Sequence, residues 1–378
     1  MKYLFLAFLA TSVLGQFTEK LFHNLIQYHK NSNFIVSTLS VEIGMSMILV
    51  GAEENTAKEL RAALLLPQDK NQVASQFEDL LSYLDKRKKV AMLHIANRLF
   101  VNESYEINKD YNELVKKSFR AEAVTINLAN QSKAAWTIND WVMDQTLDNL
   151  KGVIAPENLA HDETAVLVNA AFFKGYWKTR FRRVHTEPTT FYVSNHHKVS
   201  VNMMSQVGRF KMNELPYGQI IELPFAYSNL SMVIVLPKNN SYLGKAESVI
   251  ERYSEVLPNE VHVRVQLPDF KIEFRTELIG ILKKMGIKEL FTDSSDLSSL
   301  VKPKGTRISR VVHKAYIEIN EEGASAGGAF AGAISVAGLI WYSVASFRAD
   351  RPFVFLIRDK NTVFFRGRLM DPMSIATV

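Results

Sequence analysis

From Gly323 to Ser346 the chain reads GASAGGAFAGAISVAGLIWYSVAS, twenty-four residues without a charged side chain, the first half almost wholly Gly, Ala and Ser. The stretch follows Ala315–Ile319, which has strand character. It precedes a predicted hairpin of Phe353–Ile357 and Val363–Phe365 joined by Arg358-Asp359-Lys360-Asn361. Between two strands, so long a run is a loop. Loops beyond about 15 residues are usually functional or disordered, and disordered segments are normally polar. A loop of tiny apolar side chains has the composition of a segment made to be accepted into a packed layer elsewhere.

Outward from this loop, helical and strand signals alternate without an internal repeat. Helical spacing appears over 17–29 (Phe17, Leu21, Phe22, Leu25, Ile26), in the apolar run Leu39–Val50, and over 74–85 and 109–119. Thr56-Ala57-Lys58-Glu59 reads as a capping box opening a further helix, and another begins at Ile138. Ala165–Phe173 is apolar except at Asn169, as a strand buried on both faces would be, and Ser231–Leu236 is similar and stops at Pro237. Val261, Val263, Val265 and Leu267 alternate onto one face of a strand. Helices early and strands late predict an α+β arrangement.

The 378 residues are 47% hydrophobic and 22% charged, which excludes a disordered chain. Met1-Lys2, the apolar run Tyr3–Ala10 and Val13-Leu14-Gly15 predict a secretory signal over residues 1–15, leaving 16–378 as the domain and an extracellular location. No later stretch approaches 18 apolar residues, so no membrane anchor is expected. An oxidising compartment permits disulfides, yet there is no cysteine. Cys nucleophiles and Cys-ligated zinc are thereby excluded. Asn102, Asn130, Asn229 and Asn239 each open an Asn-X-Ser sequon. Formal net charge is +6, or +5 without Lys2, too mild an excess to imply nucleic acid.

Other chemistries are weakly supported. Gly323-Ala324-Ser325-Ala326-Gly327 matches the hydrolase pattern G-x-S-x-G, but the last histidine, His313, lies upstream of Ser325, so the chain order of that triad is not met. The pair His196-His197 lacks a second ligand motif and reads as surface. No metal, phosphate-cradle or cofactor motif is present. Lys86-Arg87-Lys88-Lys89 is the densest cationic run. It is either a sulfated-polysaccharide contact or an ordinary solvated helix end.

Set beside its flanks, the loop makes the chain resemble a serpin along nearly all of its length. Asn33–Ser40 resembles the family's shutter motif, with Ser37 in it and Thr38 where proline is usual. Gly51-Ala52, Thr56 and Glu59-Leu60 follow at the family's spacing, and Ile95–Phe100 resembles a strand of its main sheet. Leu167–Trp177 contains Asn169 and ends at the breach tryptophan, Trp177. Ala349–Phe355 is similar to the C-terminal signature. The resemblance implies a single α+β domain of about nine helices and three β-sheets, with a reactive-centre loop over about 321–348. It also implies a monomer without cofactor or catalytic residues that acts as a suicide substrate for an extracellular serine protease. After cleavage and covalent acylation the loop would insert into the main sheet.

Family matching places the hinge at Glu321, Glu322, Gly323, Ala324, Ser325, Ala326, Gly327, Gly328 and Ala329, tiny from Gly323 onward as in inhibitory members. Phe330 is bulky at an inward position, which keeps a non-inhibitory binding, transport or storage serpin as the alternative. Counting from the hinge, the scissile bond is Ala337-Gly338; counting back from Pro352 it is Trp341-Tyr342, and the hinge-side count is preferred because it sets the length of the inserted strand. Gly323–Phe347 contains no Lys or Arg, and Arg348 comes too late in the loop. An uncharged side chain would leave the buried carboxylate of a trypsin-like pocket unpaired. The bait therefore suits elastase-like or chymotrypsin-like enzymes.

Overall fold

The computed structural model describes residues 16–85, 92–252, 260–322 and 344–374. The predicted signal, the cationic run Lys86–Lys89, and the loop from Gly323 to Ser343, with hinge residues Gly323 to Ala329 and both scissile-bond candidates, lie outside these residues; Glu321 and Glu322 of the hinge lie within them. Among them are eight α-helices: α1 (16–28), α2 (Thr38–Gly51), α3 (Glu54–Leu64), α4 (Lys70–Asp85), α5 (Lys109–Phe119), α6 (Gln131–Gln145), α7 (Leu243–Val249) and α8 (Ile279–Lys284). None is long and apolar enough to cross a membrane.

The strands form three sheets in one α+β domain. The five-stranded sheet runs β11 (Phe270–Glu277), β13 (Arg310–Ile319), β5 (Ala165–Lys174), β2 (Met92–Asn102), β4 (Glu122–Ile126). The nine-stranded sheet runs β1 (Phe34–Val36), β16 (Val363–Leu369), β15 (Phe353–Arg358), β9 (Ser231–Pro237), β8 (Gly218–Pro224), β7 (Lys198–Leu215), β10 (Glu260–Pro268), β14 (Ala345–Arg348), with β6 (Glu187–Tyr192) also on β7. A two-stranded sheet joins β12 (Val301–Lys302) to β3 (Glu106–Ile107).

β5 explains why the five-stranded sheet is the middle layer. Ala165, Leu167, Ala171 and Phe173 enter the main core, which α2 and the nine-stranded sheet share. The alternate residues Val166, Val168, Ala170 and Phe172 enter a second core roofed by Ala134, Ala135, Ile138, Trp141 and Val142 of α6. A strand covered on both faces must be apolar throughout, which is the pattern its sequence carries. α2 is buried along its whole length. It approaches β2 so closely that a Cβ on Gly44 would meet Asn97 Oδ1 at 2.8 Å.

Three local expectations are corrected. Thr56 and Glu59 do not form a capping box, for α3 starts at Glu54 with Glu53 as an uncapped N-cap. Thr56 Oγ1 donates to Glu289 Oε1, and Glu59 Oε2 accepts from the Lys288 and Glu289 amides, so tertiary partners took both side chains. α6 begins at Gln131 rather than Ile138, because Asn130 Oδ1 caps it by accepting from the Lys133 amide. Val261 is 41% exposed while Val263, Val265 and Leu267 are buried, because the strand's first residues project beyond the core.

Candidate functional site: a seam between two parallel strands

β5 and β13 run parallel and pair directly from Arg310↔Val166 to Ile317↔Phe173, so no strand lies between them. Each reaches the same end of the sheet, where β13 leads through Asn320 to Glu322 and β5 through Gly175 to Trp177. A chain that reversed after Glu322 and entered this seam would run antiparallel to both neighbours. Slanted parallel bonds would then be exchanged for two antiparallel ladders, the more stable pairing per residue.

The mouth of the seam is clasped. The Trp177 indole Nε1–H donates to Asn320 O at 3.0 Å, the Trp177 amide to Glu322 O at 3.0 Å, and the Phe181 amide to Glu321 O at 3.1 Å. Thr186 Oγ1 adds a bond to Glu321 Oε1 at 2.9 Å. Trp177 is held flat on Phe225, centroids 4.7 Å apart and planes 10° apart, and is buried. Backbone carbonyls on the β13 side thus accept from donors on the β5 side, directly across the opening.

Halfway along the seam lies a row of polar side chains. Asn97 on β2, Asn169 on β5 and His313 on β13 are in register across three strands, and all are buried. Asn169 Nδ2 donates to Asn97 Oδ1 and to Ser40 Oγ, the latter at 2.6 Å. The Ser37 amide donates to His313 Nε2 at 3.3 Å. Nε2 is therefore the unprotonated nitrogen, and Nδ1–H donates to Asn169 Oδ1. Ser37 Oγ also caps α2 by accepting from the Ser40 amide. Burial lowers the His313 pKa to about 3, because a charged ring would lose its hydration without gaining a carboxylate.

The structure thus brings Ser37 and Asn169 into one hydrogen-bonded chain and puts Trp177 with Glu321 and Glu322 at the mouth. From sequence His313 enters only as the histidine that fails the hydrolase order, and Asn97 and Asn320 carry no assigned role. Their only signal was a polar residue inside an apolar strand, or just past its end. Two residues beyond Ser40 in α2, Glu42 is fully buried, and neither carboxylate oxygen has a hydrogen-bond partner among the described residues. Desolvation raises its pKa well above the usual carboxylate range, with the Arg366 charge opposing.

The sequons differ in their surroundings. Asn130, Asn229 and Asn239 are exposed. Asn102 is half-buried, and its Nδ2, the atom a glycan would occupy, donates to Glu163 O at 3.2 Å. His196 and His197 are exposed.

The comparisons with known proteins agree with this architecture. A family model described as Serpin (serine protease inhibitor) matches residues 12–372. Serine protease inhibitor 42Dd of Drosophila melanogaster is 44% identical over 377 residues, 98% of this chain and 100% of that one. Antichymotrypsin-2 of Bombyx mori is 29% identical over 361 residues, 93% of this chain and 95% of that one. The crystal structure of Serpin48 from the insect Tenebrio molitor matches with a TM-score of 0.85 at 29% identity, covering 96% of this chain and 97% of that one. A parallel seam clasped at its mouth, and a match to the family model over nearly the whole chain, make this protein a member of the serpin family.

Proposed function

We propose that this chain is an irreversible suicide-substrate inhibitor of elastase-like or chymotrypsin-like serine proteases. The observation that carries the reading is the β5–β13 seam. It is parallel and directly paired, and it opens where β13 hands the chain to a run of tiny side chains. The protease serine Oγ attacks the carbonyl carbon of Ala337, or of Trp341. A new Oγ–C ester forms, the C–N bond to the next residue breaks, and the departing amine takes a proton from the protease's own general acid. Glu321 and Glu322 then leave their donors on Trp177, Phe181 and Thr186, and the cut strand enters the seam. From Gly323 to Ala337 an extended strand spans about 50 Å at about 3.3 Å per residue. The acylated protease is carried that far before water completes the hydrolysis. The names of two relatives, a serine protease inhibitor and an antichymotrypsin, support the assignment.

Secretion with removal of residues 1–15, glycosylation of exposed sequons and a monomeric state belong to the same reading. The test is incubation with pancreatic elastase and with chymotrypsin, followed by a denaturing gel and mass spectrometry of the released C-terminal peptide. A gel-stable complex and a peptide beginning at Gly338 or Tyr342 are expected. Cleavage without complex, and no gain in heat resistance of the nicked chain, would instead make it a non-inhibitory serpin.

A further inference from the structure

A cavity of about 340 Å³ lies on the β4 side of β2, away from the seam, walled by the end of α5, by β4 and by α6. That is within the size range of small-molecule sites. Ile95, Ala121 and Trp141 form its apolar walls. Phe100 meets the Trp141 indole edge-on, centroids 5.7 Å apart, and the Arg98 guanidinium lies over the same ring, 4.9 Å from its centroid. Arg98 Nη2 donates to Glu122 Oε2 at 2.8 Å, and Lys116 Nζ is 2.7 Å from Glu122 Oε1, so one carboxylate of the lining serves two cations. Arg120, the third cation of the lining, is already held by Asp85 and Ser82, which do not line the cavity. Among the described residues the bond to Glu122 is the only hydrogen bond the Arg98 guanidinium makes, which leaves it further donors. Burial holds Arg98 below the usual arginine range in spite of Glu122 and Asp144, so these carboxylates do not offset the hydration the cation has lost.

We infer that this cavity binds a small organic anion with a flat apolar body, an aromatic carboxylate or sulfonate. The anionic head accepts from Arg98 and Lys116 and supplies the charge that Glu122, divided between them, does not. The body covers Ile95, Ala121 and the part of Trp141 that Arg98 leaves open. An inorganic anion would satisfy the charged end alone and leave the apolar walls wet; an uncharged aromatic would leave the half-buried guanidinium uncompensated. The lining also includes Asn97, whose Oδ1 accepts from Asn169 Nδ2. A bound ligand therefore ties α6 to the strand that carries the outer end of the shutter row, and a ligand taken up only by the folded chain raises its stability with concentration. Nothing in the site depends on the reactive loop, so it stands whether or not the chain is an inhibitor.

The test uses the full, uncleaved chain and two probes of one shape, 2-naphthoate and the uncharged 2-naphthalenemethanol. Binding is read by isothermal titration and by Tm at rising probe concentration. Lys116→Gln and Arg98→Gln are compared with Lys109→Gln, which removes an exposed cation at the other end of α5. One saturable site for naphthoate is expected, with the alcohol bound about tenfold more weakly. Lys116→Gln and Arg98→Gln should each lose about tenfold in naphthoate affinity, having given up a charge-assisted hydrogen bond, and Lys109→Gln should lose nothing. Lys116 is exposed, so its variant decides the matter alone if Arg98→Gln fails to fold. No saturable uptake of naphthoate, equal affinity for the two probes, or undiminished binding by Lys116→Gln each overturns the inference. Displacement of naphthoate by an equal concentration of inorganic sulfate also overturns it, since charge alone would then account for binding. Heparin retention that Lys116→Gln loses, in a chain that takes up no naphthoate, overturns it as well and assigns the cations to a sulfated polysaccharide.

Discussion

His313 makes the middle of the seam sensitive to acid. Its ring is fully buried and hydrogen-bonded on both nitrogens, with uncharged partners, Ser37 and Asn169. Protonating Nε2 would turn the Ser37 amide from a donor into a repulsive neighbour. With a folded pKa of about 3 against an ordinary 6.5, the group's contribution is fully present above pH 6.5 and is lost as pH falls towards 3. At pH 7.5 almost nothing is lost. At pH 5 the unfolded chain binds this proton and the folded chain does not, over 1.5 pH units at 1.36 kcal/mol each, or about 2 kcal/mol. With an unfolding entropy of about 2.1 cal/mol/K per residue over roughly 360 residues, that is a fall in Tm of about 3 °C. The assay is thermal unfolding at pH 7.5 and pH 5, at one scan rate, for the chain and for His313→Gln, which keeps a donor and an acceptor but does not titrate. Other titrating groups act on both alike, so the chain's Tm should fall about 3 °C further than the variant's. Equal falls in the two would refute the account.

Three further outcomes follow from other contacts. Trp177→Phe keeps the stack on Phe225 but strips Asn320 O of its donor; it should cost about 1–3 kcal/mol, seen as a lower Tm of the uncleaved chain and faster loss of inhibitory activity on storage. Glu42→Met replaces a buried carboxyl without hydrogen bonds by an apolar side chain of similar size and should stabilise by about 1–3 kcal/mol. Because the folded Glu42 pKa is raised, the unsubstituted chain is least penalised below the ordinary carboxylate pKa and loses stability as pH rises, so the gain should be larger at pH 7.5 than at pH 4.5. A gain independent of pH would point to packing alone. For chain secreted from insect cells, intact mass before and after deglycosylation should report sugar on Asn130, Asn229 and Asn239, with Asn102 bare because its Nδ2 is committed to Glu163 O. Sugar at Asn102 would show that bond to be dispensable.

What could be read from the sequence is what a single strand or helix carries by itself. β5 was legible because both of its faces are buried, leaving an apolar run, and the β15–β16 hairpin because its turn is polar and its strands are not. The seam was not legible from periodicity. That β13 lies parallel to β5 in an eight-pair register depends on a crossover of more than a hundred residues, and the shutter row needs three strands aligned at one level. Asn169 stood out as the one polar residue in its run, and family likeness then gave it a place. His313, its partner, sits in β13 beside Lys314, so its strand looked less buried than it is; Lys314 is itself covered, bonding the Lys151 and Gly152 carbonyls. The capping-box error has the same root: Thr56 and Glu59 have the right local spacing, and their side chains were claimed by partners some 230 residues away.

In the proposed mechanism, the residues that hold the seam shut and the residues that reward its opening are different sets. Insertion breaks one parallel ladder of eight residue pairs and makes two antiparallel ones, a net gain of one ladder. At about 0.5–1.5 kcal/mol per hydrogen bond that is roughly 4–12 kcal/mol, contributed by backbone that any small residue could provide. The barrier instead rests on side chains: Trp177 on Asn320 at the mouth, and Asn169 with His313 in the middle. These bonds join one side of the opening to the other, so they must be given up before the first new ladder bond forms. Substitutions at Trp177 or His313 should therefore shorten the lifetime of the uncleaved chain while leaving the heat resistance of the cleaved chain nearly unchanged. Charged residues introduced between Gly323 and Ala329 should do the reverse. A Trp177→Phe chain whose cleaved form lost as much stability as its uncleaved form would break this separation, since the clasp would then persist after insertion.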